Sequence, residues 1–324
     1  MGHYLVKYRS GAAEYWGIQD GDHILKLGNQ PPDLRTLILK REEFLHRSNF
    51  GEALTKRSEV ELLAPVSRPL RVVCQGVNYA SHREESALST ASRGNVLFAK
   101  DESAVTGALS PVMRPNGCLC LDYEVELGII VGRDIYEPTT VSTENLHEYV
   151  AGIVLANDFS PRDLQYKDDY AQWYKAKSCR TLLPLGPVLY ILDKVDFDSL
   201  HNLQLRLWVN GALRQNANTS QMIFKPAETL SEISSFMDLN AGDLILTGTP
   251  GGVVVKAPGK FLQGLATWLL SNEKKVEVLR RKKAAYLQDG DVVTAHIGSP
   301  DGTIDLGTQR NVIVPFSEYW TDCD

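Results

Sequence analysis

One stretch limits what this chain can become: Leu121-Asp122-Tyr123-Glu124-Val125-Glu126-Leu127-Gly128-Ile129-Ile130-Val131-Gly132. Its apolar, β-branched residues run into glycine, the pattern of a strand entering a core. Side chains alternate between the faces of a strand, so Glu124 and Glu126 point the same way. Two carboxylates side by side on an apolar strand repel each other and lose hydration. A hard divalent cation, which prefers oxygen ligands, is the simplest compensation. The same pattern also suits an edge strand whose polar face meets water. Taken alone, the pair leaves both readings open.

A chain of 324 residues has room for one large domain or two and can bury a sizeable core. Its net charge of −6 argues against a nucleic-acid surface, which draws on a basic patch. A metal and a few local basic side chains could still reverse the sign inside a cleft and admit an anionic substrate. No apolar run reaches the roughly 18 residues of a membrane-spanning helix, and Met1–Arg9 alternates without an apolar signal core. The five cysteines, Cys74, Cys118, Cys120, Cys179 and Cys323, match neither a disulfide framework nor paired zinc ligands. These features point to a cytoplasmic protein with no membrane or nucleic-acid partner.

Short strands are expected at Tyr4–Tyr8, Glu14–Ile18 and His23–Leu27, then a helix capped by Asp33, then a strand at Glu59–Leu63. Ala64-Pro65 closes this unit, giving a small N-terminal α/β domain over residues 1–66 and a larger one over 67–324. In the second part, His82 and Glu85 are three residues apart in a helical segment and can hydrogen-bond. A carboxylate beside histidine fixes its tautomer and raises its basicity, as a general base requires; a surface His and Glu would look the same. Asp158 ends the apolar run Tyr149–Ala156, a position that suits either a ligand or a helix cap. Arg162, Asp163 and Gln165 could bind a polar ligand, and Lys177 is either an electrostatic clamp or a solvated charge. Asn210-Gly211 marks a hairpin, and Thr229–Met237 reads as an amphipathic helix. The turn Gly248-Thr249-Pro250-Gly251-Gly252 lacks both the Lys of a phosphate-binding loop and a G-x-G-x-x-G run, so nucleotide binding is rejected. Its backbone N–H groups could still hold a carboxylate. A long helical pattern runs from Lys260 to Gln288.

Taken in order, the series is Gly76-x-Asn78-Tyr79-x-x-His82-x-x-Glu85, Asp122-Tyr123-Glu124-x-Glu126-Leu127, Asn157-Asp158-x-x-x-Arg162-Asp163-x-Gln165, Lys177-Ser178, Asn210-Gly211 and Thr247-Gly248-Thr249-Pro250-x-Gly252-Val253. From about residue 70 to 315 this resembles the fumarylacetoacetate hydrolase family. The resemblance implies an α+β, mostly β fold: a mixed-sheet β-sandwich roll that forms homodimers and carries Mg²⁺, Mn²⁺ or Ca²⁺. It makes Glu124, Glu126 and Asp158 the metal ligands, His82 and Glu85 the pair that activates water, and Lys177 a catalytic cation. Asn78, Tyr79, Arg162, Gln165, Gly248 and Thr249 become substrate-binding positions, Thr249 facing the substrate carboxylate.

The activity so implied is a hydrolase that cleaves a C–C bond in a 2,4-dioxo acid such as an acylpyruvate or fumarylpyruvate. It would work through a metal-chelated enolate and water activated by His82. The alternative is a decarboxylase or tautomerase of an oxaloacetate-like or unsaturated 2-oxo acid at the same site. A non-catalytic module of the same fold is a third reading, against which the intact acidic and His-Glu sets argue. The sequence departs from the family at Cys179-Arg180, where most members have an aromatic residue and then Asp, and in a helical insertion at about 258–288, read as a dimer contact or surface elaboration.

Overall fold

The computed structural model of the chain describes residues 2–28, 30–85, 94–167, 171–255, 276–277, 279–281 and 283–319. The acidic stretch forms the strand Val125–Val131, buried along its whole length, with Glu124 just ahead of it and a short strand at Leu121–Asp122. It lies between Val150–Asn157 and Leu244–Leu246, antiparallel to both. The edge-strand reading is thereby excluded. Side chains of this strand serve two cores in strict alternation. Leu127, Ile129 and Val131 pack with Leu205, Leu207 and Ile297 of a second sheet, whereas Ile130 packs with Val154, Leu189, Leu34 and Leu37 on the opposite face.

The large sheet is mixed and has twelve strands. Its main path runs Phe50–Lys56, His23–Leu27, Ala13–Asp20, His3–Ser10, Leu183–Ile191, Val150–Asn157, Val125–Val131, Leu244–Leu246, Val72–Gly76 and Val96–Lys100. The second sheet has five strands, in the order Ala212–Asn218, Gln204–Val209, Val292–Gly298, Asp305–Pro315 and Val112–Arg114. The N-terminal meander continues the large sheet, because His3–Ser10 pairs antiparallel with Leu183–Ile191 and sets Tyr4 opposite Tyr190.

Local chemistry explains the elements that flank the site. Asp33 accepts the Thr36 N–H at 2.6 Å and caps Leu34–Leu39, which buries Leu34, Leu37 and Ile38. Asn210 (φ 48°) and Gly211 (φ 78°) adopt the left-handed pair that a two-residue hairpin needs. The helix expected at Thr229–Met237 begins earlier, at Pro226, and ends at Ser234. Proline's fixed φ suits the first turn, where its missing N–H costs nothing. The helical segment after Ala80 is described over Ala80–Glu85. Most of the helical pattern expected over Lys260–Gln288 lies outside the described residues. Both its flanks are anchored near the acidic stretch. Val254 and Val255 donate backbone N–H groups to Asp122, and Leu287 donates its own to the Leu121 carbonyl at 2.9 Å. Among the described residues no helix is long and apolar enough to cross a membrane, and Cys74, Cys118, Cys120 and Cys179 are free thiols.

Candidate metal and acid–base site

Glu124, Glu126 and Asp158 converge. One carboxylate oxygen of each lies within 4.8 Å of the others, and all three side chains are buried. The register accounts for this. Val125 pairs with Asn157, so the residues flanking that pair, Glu124 and Asp158, emerge together at the same end of two adjacent strands. The Asp158 N–H donates to the Glu124 carbonyl at 2.8 Å, and the Asn157 side chain accepts the Glu124 N–H at 2.9 Å. Glu126 is held from the turn that follows the strand Leu244–Leu246, where the Gly248 N–H donates to it at 2.8 Å. Gly248 takes φ +84°, and a Cβ there would stand 2.9 Å from that of Asn78, so only glycine brings this amide to the carboxylate.

Three buried cations surround the acids. Lys177 Nζ contacts Glu124 and Asp158, each at 2.5 Å. Arg162 bonds Glu124 and also Asp122, the latter at 3.1 Å. Lys100 Nζ bonds the other oxygen of Asp158 at 2.5 Å and the Leu182 carbonyl at 3.2 Å, with no side-chain exposure on either partner of the ion pair. Such charges survive burial only because each is paired. The environment splits the two glutamates. Burial pushes Glu124 up, but Arg162 and Lys177 overrule it and hold its carboxyl well below the usual range. Burial, then repulsion from Asp158 and Glu124, drives Glu126 well above that range. Burial opposes the charge on Lys177, yet Asp158 and Glu124 raise its pKa beyond that of an ordinary lysine.

These acids open into a cavity of about 300 Å³, whose lining includes Glu124, Glu126, His82, Arg162, Gln165, Lys177 and Thr249. A larger cavity of about 660 Å³ lies elsewhere, beside Arg35, Arg71 and Asp243. Its charges are spent locally, Arg35 on Asp134 and Arg71 on Asp243, so size alone does not mark the site. His82 is nearly buried, its Nδ1 has no hydrogen-bond partner among the described residues, and it stands 4.0 Å from Glu85. Glu85 accepts the Gly252 N–H at 3.0 Å.

Other positions singled out in the sequence serve as struts. Asn78 donates to the Phe224 and Thr247 carbonyls and accepts the Phe224 N–H, stapling two loops outside the cavity lining. Tyr79 is buried with its hydroxyl unpartnered among the described residues. Thr249 lines the cavity while its hydroxyl donates to the Val125 carbonyl at 3.0 Å. No motif in the sequence marks Lys100 or Gln215. Gln215 is buried, accepts the Val125 N–H, and donates to Thr249 Oγ1 and the Pro250 carbonyl, tying the acidic strand to the glycine-rich turn. Their only signal is a charged or amide side chain on the inward phase of a strand. Asp122, quoted in the motif without a role, accepts N–H groups from Tyr123, Val254 and Val255 as well as from Arg162.

The model of the fumarylacetoacetate hydrolase C-terminal family matches residues 71–314. The mitochondrial oxaloacetate tautomerase of Xenopus laevis is 34% identical over 255 residues, covering 76% of this chain and 78% of that protein. A mitochondrial oxaloacetate tautomerase of Bos taurus is 40% identical over 208 residues, 64% of each chain. Among solved structures, a fumarylacetoacetate hydrolase from Exiguobacterium antarcticum superposes with a TM-score of 0.74 at 29% identity, covering 97% of this chain and 99% of that one. A 2-hydroxyhepta-2,4-diene-1,7-dioate isomerase from Mycobacterium marinum gives 0.68 at 28%, with the same coverage. With a family match over most of its length and a mostly β mixed-sheet architecture shared with these structures, the chain belongs to the fumarylacetoacetate hydrolase family.

Proposed function

We propose that this protein is a divalent-cation-dependent tautomerase that interconverts the enol and keto forms of an enolisable 2-oxo acid. The observation that carries this reading is the buried Glu124/Glu126/Asp158 cluster opening on a cavity that also holds Lys177 and His82. Relatives 34–40% identical and named oxaloacetate tautomerases support the choice of reaction.

Three hard oxygen donors in reach of one another fit Mg²⁺, Mn²⁺ or Ca²⁺. A bound cation would supply Lewis acidity at the 2-oxo group. The chain's own groups do the rest. Lys177, kept positive by its two carboxylates, places a fixed charge where negative charge develops as a C3 proton leaves. His82, whose Nδ1 has no partner among the described residues, takes that proton from C3 and delivers a proton to the enolate oxygen, and the reverse in the other direction. Gln165, whose amide oxygen accepts from Arg162, turns its N–H groups to the substrate carboxylate, while Thr249 shapes the wall beside it.

Hydrolysis of a 2,4-dioxo acid is the second reading, favoured by the proximity of His82 to Glu85. It asks more of that pair, because water must be polarised. Here the separation is 4.0 Å, and one Glu85 oxygen serves Gly252. Enolisation needs the imidazole alone. The deciding assay follows decay of the enol absorbance of oxaloacetate with Mg²⁺ and with chelator, beside cleavage of acetylpyruvate. Cation-dependent acceleration of enol decay is expected. Cleavage of acetylpyruvate without that acceleration overturns the proposal in favour of the hydrolase.

A further inference from the structure

The cavity changes character with height above the carboxylates. Val96, Phe98 and Lys100 occupy alternating positions of one strand and therefore share its face. Lys100 ends the row on Asp158, whereas Val96 and Phe98 line the cavity above it. Trp173 meets Phe98 edge-on, with ring centroids 4.9 Å apart and planes at 64°. It stands one helical turn before Lys177 on the helix Trp173–Lys177, so the ring and the ammonium share a side of that helix. Lys177 Nζ is 5.6 Å from the Phe98 ring centroid, where charge gives way to aromatic surface. Both cations that line the cavity are committed: Arg162 to Asp122 and Glu124, Lys177 to Glu124 and Asp158. Among the described lining residues there is no further Lys or Arg. At about 300 Å³ the cavity reaches the range that holds drug-sized ligands, about 300 Å³ and upward, more than a four-carbon acid requires.

We propose that Val96, Phe98 and Trp173 form a subsite for an apolar, aryl-sized substituent. The preferred substrate is then a 2-oxo acid carrying an aromatic or branched alkyl group in place of a second carboxylate. This rests on the reading above that the oxo-acid end lies over Glu124, Glu126 and Asp158. The apolar group leaves water against the two rings, while a carboxylate placed there would lose hydration without gaining a cation.

The test is calorimetric titration of the full chain loaded with Mn²⁺, using pyruvate (the head alone), phenylpyruvate (head plus ring) and 2-oxoglutarate (head plus distal carboxylate). Phenylpyruvate is expected to bind at least about tenfold more tightly than pyruvate, the return on burying roughly half a ring, with 2-oxoglutarate no tighter than pyruvate. Trp173→Ala should remove most of the phenylpyruvate advantage. Val96→Arg, at a position 37% exposed where a charge is tolerated, should reverse the order of phenylpyruvate and 2-oxoglutarate even if Trp173→Ala fails to fold. Equal affinity of the wild-type chain for phenylpyruvate and pyruvate overturns the subsite, as does a preference that Val96→Arg leaves unchanged. Enol decay assayed on the same samples separates the two proposals. A phenylpyruvate advantage without accelerated enol decay keeps the subsite and removes the tautomerase; acceleration without the advantage does the reverse.

Discussion

At the base of the cavity, Asp122, Glu124 and Asp158 interlock with Lys100, Arg162 and Lys177, with Glu126 beside them, all nearly or fully buried. At its wall, the His82 imidazole has an unpartnered Nδ1 and stands 4.0 Å from Glu85 on a short helix. At the base, Glu126 lies on a central strand of the twelve-stranded sheet, and Glu124 and Asp158 adjoin that strand and its neighbour; the wall is a short helix outside the sheet. In the proposed mechanism, fixed charges for a cation need rigid placement, and the buried ion pairs of Glu124 and Asp158 provide it. A proton carrier must swap partners during a cycle, and a loosely tied imidazole allows that. Substitutions should therefore separate the two regions, costing fold and cation at the base but turnover alone at the wall.

The largest effect is expected at Asp158. Asp158→Asn strips Lys100 and Lys177 of their shared counter-charge in a fully buried position. Breaking a buried ion pair from one side costs about 3–5 kcal/mol. Urea unfolding should show that loss, and calorimetry should show Mn²⁺ binding abolished. Retained stability would mean the base is not the rigid half of the comparison.

Lys100→Met should come next. It keeps the buried stem but leaves one Asp158 oxygen unpaired, costing about 3 kcal/mol or somewhat less, since Lys177 still serves the other oxygen. With that oxygen released and Lys177 still on the other, Asp158 can turn and should hold Mn²⁺ in altered geometry, visible in the manganese electron paramagnetic resonance spectrum. An unchanged spectrum would reduce Lys100 to a structural counter-ion. By contrast, His82→Ala should shift stability by only about 1 kcal/mol and leave Mn²⁺ affinity intact, while slowing enol decay by about 10²–10⁴-fold. Turnover that survives His82→Ala would remove the imidazole from proton transfer.

The acids of the base are legible in the sequence, and what brings them together is not, for physical reasons. Glu124 and Glu126 stood out because a strand's two-residue period puts two acids on one face of an apolar run, and Asp158 because it ends a second such run. What brings these residues together is the register that sets Val125 opposite Asn157, and register between distant strands is not written locally. Nothing near Lys100 in the chain announces Asp158, so it carries no mark in the sequence. Asn78 sat within a motif that implied substrate contact, yet its amide closes the Phe224 and Thr247 loops. The N-terminal strands read as a separate unit, because the pairing of Tyr4 with Tyr190 spans most of the chain.

The smallest effect sharpens the comparison within the base itself, through pH. Glu124 is depressed, so its stabilising contribution is complete above the ordinary carboxylate pKa of about 4.3 and is lost only as acid carries the pH down through its lower folded value. Between pH 5 and pH 8 it contributes no slope. Glu126 is raised, so in this window the folded state keeps a proton that the unfolded state has released. Stability is then greatest at the acid end and falls as pH rises toward the folded pKa of Glu126. In chelator the unfolding free energy should therefore decline from pH 5 to pH 8. Saturating Mn²⁺ should reverse the slope, because the cation takes the place of the Glu126 proton and binds better as protons become scarce. Glu126→Gln should flatten the chelator profile while weakening Mn²⁺ binding, which ties both slopes to one side chain. Parallel slopes with and without Mn²⁺ would show that proton and cation do not compete at Glu126, and the acid cluster would then be only a structural lattice of charges.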